Sequence, residues 1–172
     1  AAAIASGQAR TFEPMKGKIC VITGATDGIG LEAAARLGAL GARLVLVGRQ
    51  RAKGEAALAR LRHRVPDIDV QMHYADLSRR SDTLRLVPEL LAAAPRIDVL
   101  LNNAGAFFAE RVVTEDGLEQ SFALNHMGYF RLASLLSDRL IASAPSRIVN
   151  VASEAHRNAT LDFGDLQMTR GF

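Results

Sequence analysis

Three glycines stand at a spacing that could hold a phosphate. They lie in Thr23-Gly24-Ala25-Thr26-Asp27-Gly28-Ile29-Gly30, a G-x-x-x-G-x-G pattern. An apolar run, Ile19 to Ile22, leads in, and an Ala-rich helical pattern, Leu31 to Leu40, leads out. A strand that stops, turns on glycines and restarts as a helix aims unpaired N–H groups and the positive end of the helix dipole at one point. Gly24 would permit the sharp turn, Gly28 would let backbone approach a pyrophosphate, and Gly30 would let the helix pack closely. Thr26, Asp27 and Ile29, interleaved with them, fall at the same place. The spacing is neither G-x-G-x-x-G nor a P-loop with its Gly-Lys-Ser/Thr. An ordinary strand-to-helix turn seldom needs three glycines.

Three further loops carry polar residues beside small ones. Gly48-Arg49 follows the second apolar run, where an acid would bond the adenosine ribose of NAD. The acid is missing, and a guanidinium can pair with a 2′-phosphate, so the residues favour NADP, with NAD as the alternative. A solvated surface arginine is the plainer reading, and Arg51, Lys53, Arg60, Arg62 and Arg64 continue a basic, solvent-facing helix against Glu55. Asp76-Leu77 could accept from an adenine amino group and line its ring, or Asp76 could cap a helix. Asn102-Asn103-Ala104-Gly105 offers small residues beside a cofactor and amides that brace neighbouring strands; paired asparagines at a buried strand end need partners.

The elements that would position these loops alternate. Strands are expected over Lys18–Thr23, Arg43–Val47, Ile68–Tyr74, Ile97–Leu101 and Arg147–Ala152. Helices are expected over Gly28–Leu40, closed by Gly41, and Arg51–Arg64, stopped by Pro66. A third opens at Asp76–Ser78 and runs to about Ala94, with Pro88 implying a kink or a later start. A fourth is capped by Thr114, Glu115 and Asp116 and reaches about Ser143. Ser153 to Phe172 reads as loop. Five apolar strands separated by helices predict an α/β, doubly wound, Rossmann-like parallel sheet with its ligand crevice at the carboxyl ends of the strands. One domain over 16–172 follows a lead-in over 1–15.

Composition sets bounds. The 172 residues are 49% hydrophobic and 23% charged, with a net charge of +3. That balance gives no argument for nucleic acid, and no Trp supplies a stacking surface. The single cysteine, Cys20, excludes an internal disulfide, fits a reducing compartment and reads as a buried structural thiol. No apolar run approaches the ~20 residues of a membrane span, and the start lacks a signal peptide's basic region, so the cytoplasm is the expected location. His63, His73 and His156 lack metal-ligand spacing, so no metal is expected, and His126 reads as structural.

Together these residues resemble the short-chain dehydrogenases/reductases. Thr-Gly-x-x-x-Gly-Ile-Gly at 23–30, Asp-Leu at 76–77 and Asn-Asn-Ala-Gly at 102–105 occur in that family's order and spacing. Asn125, in Leu-Asn-His-Met-Gly-Tyr-Phe, matches its helix asparagine, which shapes the site and helps hold a relay water. Ser153, closing Arg-Ile-Val-Asn-Val-Ala-Ser, falls on its catalytic serine. Asn-His-Met-Gly-Tyr-Phe and Glu-Ala-His look like the retinol-dehydrogenase-like, NADP-preferring branch. The resemblance implies hydride transfer between NADP(H) and a small carbonyl or alcohol substrate. It leaves a homo-oligomer open.

One family feature is missing. The acid/base tyrosine belongs to a Tyr-x-x-x-Lys pair, and a helix puts residues four apart on one face. Here Tyr74 is followed four on by Ser78, and Tyr129 by Ala133; both precede Ser153. The fifth strand is apolar and expects helix on both faces, and nothing after it covers it. The chain is therefore expected to be the N-terminal part of a longer enzyme and inactive alone. A non-catalytic dinucleotide-binding module is the main alternative, and a sugar-nucleotide epimerase of the same fold, with a different glycine pattern, is a third.

Overall fold

A computed structural model describes residues 14–172. The lead-in up to Glu13 lies outside the described residues; Met15 donates its N–H to Leu40 O at 2.8 Å and ties the chain to the end of the first helix.

Five parallel strands form one sheet: β1 Ile19–Thr23, β2 Arg43–Gly48, β3 Val70–Tyr74, β4 Val99–Asn102 and β5 Arg147–Asn150. Their order is β3-β2-β1-β4-β5, so the strand order reverses between β1 and β4. That reversal places the crevice of a doubly wound sheet beside Thr23 and Asn102. Every residue of β1 is buried, and alternate residues feed opposite faces, as a pleated strand requires. Val21, Val45, Val47 and Leu100 join Leu86, Leu90, Leu132 and Leu136 in one layer. Cys20, Ile22, Leu44 and Leu46 join Leu31, Ala34, Ala57 and Leu61 in the other. Burial, with Asp98 as a lesser cause, pushes the Cys20 thiol up to about 11; it is an inert packing residue.

Helix α1 spans Gly28–Ala39 and α2 Arg51–Arg64, both on the second layer. Gly41, at φ +90, turns the chain into β2. Helix α3 spans Arg80–Ala93 and contains Pro88. It starts later than the 76–78 expected, because Asp76 Oδ1 accepts from Ser78 N at 3.0 Å and Ser78 Oγ at 2.6 Å. That local turn competes with helix.

The expected long helix from Thr114 is broken up. The chain turns at Thr114–Gly117, with Gly117 at φ +75. The helix begins as α4 Gln120–Phe122, passes through a π-helical segment Ala123–Met127, and continues as α5 Gly128–Leu135 and α6 Ser137–Ala142. Its cap is Glu119, whose carboxylate accepts from Ser121 N at 2.7 Å and Phe122 N at 2.8 Å. Glu115 and Asp116 serve a different helix. Asp116 Oδ2 accepts from Arg80 N at 2.7 Å, and Glu115 Oε1 from Ser81 Oγ at 2.7 Å, at the N-terminus of α3.

The tail is more ordered than a plain loop. A 3₁₀ turn spans Glu154–Asn158. Asp165 then accepts from Thr169 N at 2.9 Å and Arg170 N at 3.0 Å, contacts that hold its carboxyl far below the usual range. Gln167 docks this turn, taking Glu119 N on Oε1 at 2.6 Å and Arg111 Nε on its carbonyl at 2.8 Å. Strand β5 is the sheet edge rather than an interior strand: all four of its residues are exposed, with Ile148 at 48% and Val149 at 46%.

Far from the crevice, Asp98 clamps the other end of the sheet. It is 4% exposed and accepts from Ile19 N at 2.9 Å, Lys18 Nζ at 3.1 Å and Arg96 Nη2 at 2.6 Å. Burial alone would raise its carboxyl; Arg96, the Ile19 N–H and Lys18 outweigh it, and the net shift is downward.

Candidate cofactor crevice and adjoining cleft

The glycine loop leaves β1 at Thr23. Gly24 has φ +65, and a Cβ there would stand 2.7 Å from Ala104 Cα. Two requirements coincide at this residue: a left-handed backbone and room for the neighbouring loop. Gly30 is buried, and its Cβ would meet Gly24 O at 2.4 Å and Asn103 Nδ2 at 2.5 Å. It permits packing and does not face a ligand. Gly28 differs: at φ +53 it opens α1, and a Cβ there would meet nothing within 4 Å. Backbone with open space at a helix N-terminus can accept a phosphate.

The loop is braced by a residue the chemistry-first reading passed over, Thr23. Its buried hydroxyl accepts from Asn103 N at 2.9 Å and Ala104 N at 3.0 Å. Asn103 Nδ2 donates in return to Thr23 O at 3.0 Å and Gly24 O at 3.1 Å. Asn102 reaches the other way, donating to Asn150 Oδ1 at 2.9 Å. The two asparagine amides thus join the ends of β1, β4 and β5, as the strand-bracing reading expects. Thr23 sits directly before Gly24, and that adjacency was the available signal.

On one side of this brace, Gly24, Thr26, Gly48, Arg49, Asp76, Leu77, Ala104 and Gly105 line a single crevice. Gln50 lines it as well, and so does Lys53, which the sequence assigns only to the solvent-facing basic helix. Arg49 Nη1 is 3.8 Å from Asp76 Oδ2, so the cation is held over the crevice and remains half-exposed. Asp76 does not cap α3, whose N-cap position is Arg79. Leu77 belongs to the first core layer and presents one surface to the crevice.

On the other side opens a wide cleft, lined by Ile29, Asn103, Gly105, Asn125 and Ser153 among the expected residues. Its walls are apolar: Phe107, Phe108, Tyr129, Phe130, Ile148 and Met168. Phe107 is 92% exposed. Asn125 lies in the π-helical segment, a distortion that recurs at functional sites. Its Oδ1 accepts from Ala106 N at 3.0 Å and its Nδ2 donates to Ala106 O at 2.9 Å. The amide therefore holds the turn between crevice and cleft from both of its polar atoms. Ser153 caps the 3₁₀ turn: its Oγ accepts from Ala155 N at 3.2 Å, which leaves the hydroxyl hydrogen free to donate. Tyr129 lines the same cleft, and burial raises its phenol. His126 stacks on Phe122 with ring centroids 5.1 Å apart and also lines the cleft.

Two expected residues, Asp27 and Gly28, line a groove between α1 and α2 rather than the crevice itself. The Asp27 carboxylate makes no cap bond and lies 3.7 Å from Arg60, in that groove. The basic face of α2 is less free than its sequence implies, because Arg64 pairs with Glu32 of α1 through both guanidinium nitrogens.

The profile of the short chain dehydrogenase family matches residues 18–163. The chain belongs to that family. Retinol dehydrogenase 12 of Homo sapiens is 39% identical over 98% of this chain and 54% of its own length. Retinol dehydrogenase 14 of Mus musculus is 39% identical over 92% of this chain and 50% of its own. This short-chain dehydrogenase/reductase, retinol-dehydrogenase-like in sequence, thus spans about half the length of those relatives. Among solved structures, a metagenomic short-chain oxidoreductase in complex with NADP superposes with a TM-score of 0.74 at 30% identity, covering 86% of this chain and 67% of that one. The expected Rossmann-like fold and family stand on these likenesses. No helix among the described residues is long and apolar enough to cross a membrane.

Proposed function

We propose that this short-chain dehydrogenase/reductase chain is the cofactor-binding part of an oxidoreductase that moves hydride between NADP(H) and a carbonyl or alcohol carbon. The observation that carries the reading is the crevice at the end of β2, where Gly48 and Arg49 replace the acid that NAD would need. The open backbone at Gly28 fits a pyrophosphate. Bound NADPH would supply the hydride. Gly24, Gly28 and the N-terminus of α1 would hold its pyrophosphate, and Arg49 its 2′-phosphate, with Lys53 beside it. Asp76 and Leu77 would border the adenine. Asn103, Ala104 and Gly105 would pass backbone beneath the nicotinamide half. Ile29 would border that half from the first turn of α1.

In the cleft, Ser153 would donate its free hydroxyl hydrogen to the substrate oxygen and stabilise charge developing there. Asn125 would keep the Ala106 turn in place and help position a relay water. The apolar walls, and relatives named retinol dehydrogenases, support a large apolar alcohol or aldehyde as substrate. Proton transfer would need a tyrosine–lysine pair that these residues lack, so the 172 residues should turn over nothing.

Calorimetric titration tests the cofactor assignment. Arg49→Ala should weaken NADP+ binding by about 1–3 kcal/mol and leave NAD+ nearly unchanged. Equal losses for both would remove Arg49 from the site.

A further inference from the structure

Cofactor choice is commonly assigned to the charge that follows β2. Here the residue before that charge is constrained by something else. A Cβ placed on Gly48 would stand 2.6 Å from Thr26 Cγ2, but 4.0 Å from Thr26 Cβ and 3.7 Å from Met72 Sδ. The obstacle is therefore one methyl group. Gly48 is not among the described residues with a left-handed backbone, so a side chain there meets no conformational barrier. Thr26 is β-branched and stiff, and it lies in the glycine loop between Gly24 and Gly28. Relieving the contact takes a change of the Thr26 rotamer or a shift of the loop between Gly24 and Gly28.

We infer that Thr26 is a cofactor-specificity residue: its methyl group occupies the space above Gly48 and bars the acid that would hold an unphosphorylated adenosine ribose. This rests on the NADP reading and deepens it. Arg49 attracts the 2′-phosphate, while the Thr26–Gly48 pair excludes the competing arrangement. Specificity commonly needs such an exclusion beside the attraction. The two positions are then coupled, and neither alone switches the preference.

A double-mutant cycle tests the coupling, using the 172-residue chain with Gly48→Asp, Thr26→Ala and the pair, each titrated with NADP+ and NAD+. In the Thr26 background Gly48→Asp should weaken both dinucleotides about tenfold, whereas in the Thr26→Ala background it should strengthen NAD+ about tenfold. Gly48→Ala is the steric control: urea unfolding should show it lowering the midpoint with Thr26 present and not with Thr26→Ala. If Gly48→Asp changes NAD+ affinity by the same factor in both backgrounds, or if Gly48→Ala costs the same in both, the inference is overturned. A wild-type chain that binds neither dinucleotide, or an Arg49→Ala that weakens both equally, overturns the parent reading, and this inference falls with it. Failure of the cycle in a chain that prefers NADP+ overturns the inference alone.

Discussion

The crevice beside β1 and the cleft beside β5 are built to different standards. Around Gly24 and Gly30 the glycine loop is closely packed and hydrogen-bonded. Thr23 and Asn103 exchange hydrogen bonds across the strand ends, and Gly24 and Gly30 have neighbours that leave no room for a methyl. Around β5 the opposite holds: its strand is exposed, Ile148 and Val149 are half-bare, and Phe107 projects into open space. The binding half of the site is closed by residues within these 172. The cleft carries Ser153 and Asn125 on a largely apolar wall.

Five substitutions would sharpen or break that contrast. Gly24→Ala should have the largest effect, losing about 2–4 kcal/mol in urea unfolding, because backbone strain and overpacking add at one position. Gly28→Ala should cost only about 1–2 kcal/mol of stability, yet weaken dinucleotide binding at least about tenfold if open backbone there meets a phosphate. Equal stability losses at Gly24 and Gly28 would erase the distinction between a packing glycine and a binding glycine.

Asp98→Ala should cost about 1–3 kcal/mol, because it strands the buried Ile19 N–H and removes the partner of two half-exposed cations. The Asp98 carboxyl is lowered in the folded state. Its contribution is thus full above the unfolded value of about 4 and is lost as pH falls through the folded value. The wild-type advantage over Asp98→Ala should be constant near neutrality and shrink below about pH 4. A gap that persists at lower pH would show that packing, not charge, sets it.

Asn125→Ala should cost about 1–2 kcal/mol, since it unpairs both polar groups of Ala106. Faster hydrogen exchange at the Ala106 amide is the matching readout. Val149→Lys should be smallest, within about 0.5 kcal/mol in stability, while reducing any self-association seen in sedimentation, as charge on an edge strand does. A large destabilisation would mean that the β5 edge is better packed than its exposure indicates.

What could be read from the sequence was what depends on local backbone. Alternating apolar strands and helices give the sheet, and Gly24 and Gly41 announce positive φ without knowledge of their neighbours. What could not be read was non-local. Glu115 and Asp116 carry the signature of a helix start, but the helix they serve is α3, more than thirty residues earlier. Glu119 caps the helix that follows it, and a π-helical segment has no hydrophobic period to betray it. Asp76 reads as a helix cap and closes a turn with Ser78 instead. Asp27 is adjacent in sequence to the crevice yet turns toward Arg60. Asn125 could be named only through the family pattern, because its two bonds to Ala106 span nineteen residues.

The most direct test of the account is a map of backbone amide shifts on adding NADP+ to the isotopically labelled 172-residue chain. The largest changes are expected at Gly24–Gly30, Arg49, Asp76–Leu77 and Asn103–Gly105, with small ones across the 162–170 turn. Absent shifts, or shifts centred on Arg60–Arg64 at the far side of the α1–α2 groove, would contradict it.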